Sequence, residues 1–467
     1  MQDQKIQNLI KKEEKRQQEK LVLIASENYT SKAVRSALSS VLTHKYSEGE
    51  PGKRYYQGNE FVDQIELLAC ERALKVFNLN NKKWHANVKA VSASISNLAV
   101  ISGLLDPGQK ILSMDLTHGG HLSHGWKSPS GKPISFISKI FKTVYYKVEK
   151  DTQIFDYNKI LKLAKKEKPQ LIISGGTAYA REINYKKMSE IAHSVGAYYL
   201  ADVAHEAGLI AGKVLKSPFP FADVVTMSTQ KTLRGPRGAI IVCRKGWLHA
   251  PAWGHSVKLQ QAGYNQEVGV NIANKIDRAI FPGLMGGPCD NVIASVAVCL
   301  QEALSSKFKI YAKQVIKNAK VLAKELQKYK FNIVSGGTDK HLILIDLRNL
   351  SWLHRSRVEP SCSKQQIGST QESGANLIIN GHDASVLLDK AGLVLNKNTV
   401  PFETNSPMKP SGIRLGTPAV TTRGMKEKEM KQIALWIKQV LIEKRKPEEV
   451  LKEVKKLTGQ KKFKIEL

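Results

Sequence analysis

VVTMSTQKTLRGPRGAI (residues 224–240) decides the fold. An apolar, β-branched run ends in Ser and Thr, a lysine follows at Lys231, and a Gly/Pro/Arg loop leads into a second apolar run at 239–242. Outward from it, short apolar runs recur at 111–114, 171–174 and 198–202, and helical stretches such as 185–195 lie between some of them. Short runs apolar on both faces are the mark of buried strands, and helices between them predict βαβ crossovers and a largely parallel sheet. The fold class is therefore α/β. A lysine at a strand end can be desolvated and kept near neutrality, the condition for forming a Schiff base. Taken alone, though, such a lysine is usually only a surface residue.

A second segment, AYYLADVAHEAG, places Asp202 at the end of an apolar strand and His205 three positions on. A buried carboxylate is unfavourable unless a cation answers it. In a pyridoxal-phosphate site that cation is the protonated ring nitrogen, which lets the ring act as an electron sink. The blander alternative is an Asp that caps the next helix. A third segment, VKAVSASISNLAV, sets Ser92, Ala93 and Ser94 before a helix expected from about Ile95. Hydroxyls and free N–H groups at a helix start suit a phosphate, and Ser is equally an ordinary N-cap.

Phosphate loop, aspartate and lysine come in that order, and the segments IASENYTS, KYSEGEPGKRYY, LTHGGHLSHG, ADVAHEAGL, STQKTLRGPRG, FPGLMGG, NKNTVP and SGIRLGTPAVTTRG accompany them. Together they resemble serine hydroxymethyltransferase over about residues 21–436, closer to the bacterial form than to the eukaryotic one. The resemblance implies an aspartate-aminotransferase-like fold (fold type I): a large domain with a mostly parallel seven-stranded sheet and a smaller C-terminal α/β domain. The expected divisions are an N-terminal helical arm at 1–25, the cofactor domain at 26–300 and the small domain at 301–467, with a surface insertion near 350–383.

The resemblance also implies a site. Lys231 would carry pyridoxal 5'-phosphate, Asp202 would pair the ring nitrogen, His121 would stack on the ring and His205 would meet its phenolic oxygen. Ser92, Ala93 and Ser94 would hold the phosphate with Ser228 nearby, and Tyr46, Gly286 and Gly287 would join them from a neighbouring subunit of a homodimer or homotetramer with shared active sites. Ser26, His205 and Arg414 would take the substrate carboxylate, an arginine suiting bidentate pairing. Glu48 would be the acid/base carboxylate and Tyr56 the tyrosine beside the substrate, with Tyr55, Leu116, Leu122 and Asn398 lining a folate pocket. His118 and His124 read as loop residues. The implied reaction converts serine and tetrahydrofolate, the co-substrate, reversibly to glycine and 5,10-methylenetetrahydrofolate.

Several positions depart from the family pattern. Ala93 stands for glycine, Gln230 for the histidine before the lysine, Gln57 for a glycine, Met285 for a glutamine, Asn291 for a histidine, and Ile95 for glutamine or proline. Each hydrogen bond lost to a charged group costs about 1.5–3 kcal/mol, roughly ten- to a hundredfold in rate if felt wholly at the transition state. These changes and a net charge of +31 motivate an alternative: a catalytically weak or inactive paralogue serving as a structural, anion-binding or RNA-binding subunit. Another pyridoxal enzyme, an aldolase or aminotransferase, is opposed by the tyrosine pair, the Glu48 loop and NKNTVP.

Composition narrows the remaining classes. A hydrophobic share of 42% and a charged share of 24% are those of a globular chain with a sizeable core. No apolar run reaches the roughly 18 residues a membrane helix needs. The positive field favours anionic partners, although its lysines are spread along solvated faces and no arginine-rich arm or aromatic stripe marks a nucleic-acid surface. Nucleic acid is thus not the favoured partner. The 5 cysteines lack C-x-x-C spacing, so neither a disulfide framework nor a metal site is expected. The first twenty residues lack an apolar segment, and a reducing, cytoplasmic setting without secretion is the expectation.

Overall fold

A computed structural model describes residues 3–128, 130–245, 247–248, 270–350 and 379–466. The chain divides into two compact units, one of Ser26–Ile316 with Glu466–Leu467, the other of Met1–Ala25 with Lys317–Ile465.

The first unit is built on seven strands: β1 (Trp84–Asn87), β2 (Lys110–Met114), β3 (Lys142–Tyr146), β4 (Leu171–Ser174), β5 (Tyr198–Asp202), β6 (Val224–Ser228) and β7 (Ala239–Arg244). Their spatial order is β1-β7-β6-β5-β4-β2-β3. β7 runs antiparallel to both its neighbours, and the other pairs are parallel. The apolar runs form strands because both faces are covered, and the pleat sorts their side chains. Tyr199, Ala201, Val225 and Met227 enter one core cluster, while Tyr198, Leu200 and Val224 enter another. In sheets of this kind the carboxyl ends of parallel strands are where ligands bind. β5 ends on Asp202, β6 ends on Ser228 just before Lys231, and the loop after β2 carries His121.

The second unit has a four-stranded antiparallel sheet of β8 (Asn332–Ile333), β9 (Leu342–Asp346), β10 (Asn396–Asn398) and β11 (Gly412–Gly416), ordered β8-β9-β11-β10. The N-terminal helix Gln4–Glu19 buries no residue, but the chain after it pairs Leu21–Val22 in parallel with Leu393–Val394. Arg423 completes the anchor. Its guanidinium donates to the carbonyls of Gln17, Gln18 and Lys20 at 3.1, 2.9 and 2.8 Å, where the helix leaves its last carbonyls unpaired.

Long helices run over Glu60–Val76, Ser306–Lys328 and Glu427–Leu441. One further helix, Pro447–Thr458, follows the last of these. The insertion expected near 350–383 falls mainly on residues 351–378, which lie outside the described residues. Its final positions open the helix Gly381–Lys390.

Candidate active site

Nine of the expected site residues line one cavity of about 280 Å³: Ser26, Ser92, Ala93, Ser94, His121, Asp202, His205, Ser228 and Lys231. Eight of them reach it from the ends of β5 and β6 and the turns that follow, a helix start and the loop after β2, and Ser26 comes from a turn near the start of the unit.

Asp202 is the best-held member. Its Oδ2 accepts from Asn97 Nδ2 at 2.8 Å and from His124 Nε2 at 2.9 Å, and its Oδ1 accepts from the Ala204 amide at 2.9 Å. It is not the cap of the next helix, Ala207–Ala211, which follows Glu206. Burial alone would raise its pKa, but the hydrogen bond and charge of His124, the charge of His121 and the Asn97 amide outweigh that and hold the carboxyl well below the usual range. Asn97 is oriented in turn, because its Oδ1 accepts from the Thr226 hydroxyl at 2.6 Å and its amide also reaches Ser123 Oγ at 2.8 Å. A glycine precedes this site for a steric reason. A Cβ at Gly175, just after β4, would lie 2.3 Å from the Asp202 carbonyl oxygen.

The phosphate-type end is built at the helix Ala93–Leu104, which starts two residues earlier than expected. Ser92 is its N-cap, its Oγ accepting from the Ile95 amide at 3.3 Å, so the ordinary capping role holds alongside any ligand role. Ala93 is the first helical residue, a conformation alanine adopts freely, so the missing glycine costs nothing in backbone strain. His121 Nδ1 lies 2.8 Å from Ser123 Oγ and 3.2 Å from the Ser123 amide, which fixes the orientation of the ring. His205 is buried, with Nε2 3.1 Å from Thr177 Oγ1, and Ser228 donates to the Ala204 carbonyl at 3.0 Å.

A second cluster gathers the other expected residues. Tyr46, Glu48, Tyr55 and Tyr56 surround the hairpin strands Gly49–Glu50 and Lys53–Arg54, and none of them lines the Lys231 cavity. The rings of Tyr46 and Tyr56 meet edge to face at 5.5 Å. Gly286 and Gly287 lie against this group: a Cβ at Gly286 would stand 2.8 Å from Glu48 Oε1, and one at Gly287 would stand 3.1 Å from the Tyr46 ring. Glu48 beside it pushes the Tyr56 phenol up from its ordinary pKa.

Beneath the hairpin is a cage of buried charge. Arg54 donates to the carbonyls of Ser47 and Gly49 at 2.8 and 2.6 Å, to Asp63 at 2.7 Å and to Glu66 at 2.7 Å. Lys89 donates to the same Gly49 carbonyl at 3.0 Å and pairs Glu50 at 2.7 Å and Glu66 at 3.2 Å. Ser47 Oγ adds a bond to Asp290 at 2.6 Å. Both neighbours of Glu48 in the chain are therefore pinned.

Leu116 and Leu122 sit in short turns on either side of His121 and are half-buried and exposed. Arg414 and Asn398 belong to the second unit. Arg414 is buried on β11, donates to Asn396 Oδ1 at 3.1 Å, and has its pKa pushed down by burial to about 10. Among the departures, Gln57 keeps an ordinary negative φ while Gly58 takes φ +73°, and Asn291 donates to the Leu38 carbonyl at 2.8 Å. Gln230 lines the cavity. Sequence reasoning missed Asn97, His124, Thr177 and Arg237. The last three line the cavity, and the first two carry Asp202.

Pyridoxal phosphate fits this donor set. One cavity holds an ionised carboxylate for a ring N–H⁺, backbone N–H groups at a helix start for a phosphate, and a lysine amine for an aldehyde. The mixed seven-stranded sheet with that set is the architecture of the pyridoxal-phosphate enzymes of fold type I. The sequence model described as serine hydroxymethyltransferase matches residues 1–376 and 373–437. The serine hydroxymethyltransferase of Methanosarcina barkeri (strain Fusaro / DSM 804) is 48% identical over 435 residues, 93% of this chain and 91% of that one. The chain belongs to the serine hydroxymethyltransferase family. It is a pyridoxal-phosphate-dependent transferase of one-carbon metabolism that interconverts serine and glycine, with tetrahydrofolate as co-substrate. Among the described residues no helix is long and apolar enough to cross a membrane.

Proposed function

We propose that this chain performs the reaction at a site assembled from two copies of itself, one supplying the Lys231 cavity and the other the Glu48 hairpin. Lys231 holds the cofactor, Asp202 keeps its ring nitrogen protonated, His121 covers the ring and His205 faces its phenolic oxygen. Ser92, Ala93, Ser94 and Ser228 hold the phosphate, with Tyr46, Gly286 and Gly287 reaching it from the neighbouring subunit. When bound, the cofactor supplies the electron sink that accepts the pair released as the Cα–Cβ bond of serine breaks.

The protein's own groups do the rest. Ser26, His205 and Arg414 bind the substrate carboxylate, the arginine through its two-pronged geometry. Glu48 takes and returns the proton of the serine hydroxyl as the one-carbon unit leaves or arrives. Tyr56, whose phenol is held protonated by that carboxylate, stays a hydrogen-bond donor beside the substrate. Tyr55, Leu116, Leu122 and Asn398 line the place of the folate. The assembly is a homodimer or homotetramer, working in the cytoplasm.

The observation that carries this reading is an Asp202 kept ionised by Asn97 and His124 in the same cavity as Lys231. The purified protein should take up pyridoxal phosphate with a visible absorbance band that changes on adding glycine and tetrahydrofolate, and should form glycine from serine only with folate present. Cofactor uptake without either response would overturn it. Sedimentation that finds only monomers in the active enzyme would overturn the two-copy site.

A further inference from the structure

We propose that Asn28 is a positioning residue for Lys231: its carboxamide, seated on the Tyr311 hydroxyl, holds the lysine's backbone carbonyl beside the segment that carries Ser26. This rests on the reading of Lys231 as the cofactor-bearing lysine. Asn28 lies in the IASENYTS segment, two positions after Ser26.

Asn28 Nδ2 donates both its protons, to the Lys231 carbonyl at 3.0 Å and to the Tyr311 hydroxyl at 2.7 Å. Its Oδ1 accepts from the Tyr29 amide at 3.0 Å, so the amide plane is fixed from both ends. The Lys231 carbonyl also accepts from the Arg234 amide at 3.2 Å. That turn requires Arg234 to sit at φ +66°, a left-handed conformation unfavourable for a non-glycine residue. The Arg234 guanidinium lies 5.0 Å from the Tyr311 ring centroid, a cation–π contact that helps to hold it there. Tyr311 thus serves both partners of one carbonyl: its hydroxyl takes the Asn28 amide and its ring takes the Arg234 side chain.

The residues after Lys231 are held from other sides. The Thr232 hydroxyl donates to the His205 carbonyl at 2.9 Å, and the Cys299 thiol donates to the Leu233 carbonyl at 3.3 Å. Asn28 is the member of this set that comes from the substrate-facing segment, since Ser26 and Glu27 both line the Lys231 cavity. One side chain thereby ties a substrate contact to the backbone of the lysine. Misplacement of a reacting group by about 1 Å can cost roughly a hundredfold, so such a tie has kinetic consequences far from any direct contact.

The test compares Asn28→Ala, Tyr311→Phe and the double variant with the full-length wild type. It reads the rate of pyridoxal-phosphate uptake by the apoprotein and the pH midpoint of the holoenzyme's visible band. Neither should move if Asn28 only stabilises the fold. Expected are uptake slowed about tenfold in Asn28→Ala, on the scale set by misplacing a reacting group, a shifted midpoint, and a smaller change in the same direction in Tyr311→Phe. The double variant should add little to Asn28→Ala, because the two act on one carbonyl. Wild-type values in both single variants, or full additivity, overturn the proposal. Should Asn28→Ala not fold, Tyr311→Phe decides, since it keeps the ring beneath Arg234 and removes only the hydroxyl. Lys231→Gln separates the two readings. A wild-type band and titration in that variant would sink the role of Lys231 itself, whereas their loss beside an unaltered Asn28→Ala would sink the brace alone.

Discussion

The Lys231 cavity and the Glu48 hairpin, both in the first unit, are held by opposite means. In the cavity the key charge is an anion, Asp202, satisfied by uncharged donors and a histidine on rigid strand ends and a helix. Under the hairpin the key charges are cations, Arg54 and Lys89, which converge on one backbone carbonyl beneath an exposed rim of tyrosines. Tyr46, Tyr55 and Tyr56 stand 55%, 72% and 49% exposed, while Asp202 and His124 stand at 7% and 1%. A buried, finished half and an exposed, stiffened half make sense if the second is completed by another copy of the chain. Stiffening before assembly lowers the ordering cost that association would otherwise carry.

The contrast between the two halves is sharpest at Asp202. Asp202→Asn keeps the shape but removes the charge, leaving His124 and Asn97 as donors aimed at an amide. Serine cleavage should fall by about 10³-fold, the scale of losing one preorganised electrostatic partner. Steady-state glycine formation checks it. A loss under tenfold would mean the cavity does not work through a charged Asp202.

Glu48→Gln should cut kcat by about 10²–10³-fold, as removing an acid/base group does, while leaving cofactor uptake near that of the wild type. Equal damage to uptake and turnover would erase the division between the halves. Mixing Glu48→Gln chains with Lys231→Gln chains sharpens it further. If the two halves come from different subunits, mixed oligomers recover one intact site in each hybrid pair, and activity should reappear from two inactive parents.

Much of this was legible in the sequence, for identifiable reasons. Strands buried on both faces must be apolar throughout, so the runs at 171–174, 198–202 and 224–228 declared themselves. The lysine, the aspartate and the serines stood at strand and helix ends, where chemistry-bearing residues are conspicuous. Asn97 and His124 were not legible. The first sits inside a helix and the second reads as one more loop histidine, and only tertiary approach across long sequence separations sets both on Asp202. The pairing of Leu21–Val22 with Leu393–Val394 was hidden for the same reason. The helix Pro447–Thr458 did carry a local signal, a proline at its first position followed by Glu448 and Glu449.

The cage beneath the hairpin makes a prediction about stability. Lys89→Met leaves Glu66 buried with Arg54 as its remaining cation and frees one bond to the Gly49 carbonyl. Leaving a buried charge uncompensated costs about 3–5 kcal/mol, and with Arg54 still on Glu66 the loss here should be about 3 kcal/mol or less. An exposed pair such as Lys15–Glu19, 3.9 Å apart, should contribute about 0–1 kcal/mol by contrast. Urea denaturation of Lys89→Met and Lys15→Met separates the two. Similar midpoints would mean that the hairpin is not held by its cage.

The smallest effect concerns the cavity side again, at His118 in the turn before His121. Burial lowers its pKa from 6.5 to about 4, with Lys147 adding to the fall and Asp115 opposing it. The folded protein therefore keeps His118 neutral where the unfolded chain would already bind a proton. Between those values the unfolded state carries the extra proton, so acid favours unfolding. The contribution of His118 is intact above pH 6.5 and is lost progressively as pH falls towards about 4. His118→Gln, which cannot charge, should flatten that part of the stability profile while lowering stability at neutral pH only slightly. Melting temperatures from pH 7 down to 4.5 test this. If the variant and the wild type lose stability in parallel, the acid sensitivity of this half belongs to other groups, with Asp115 beside His118 the first to examine.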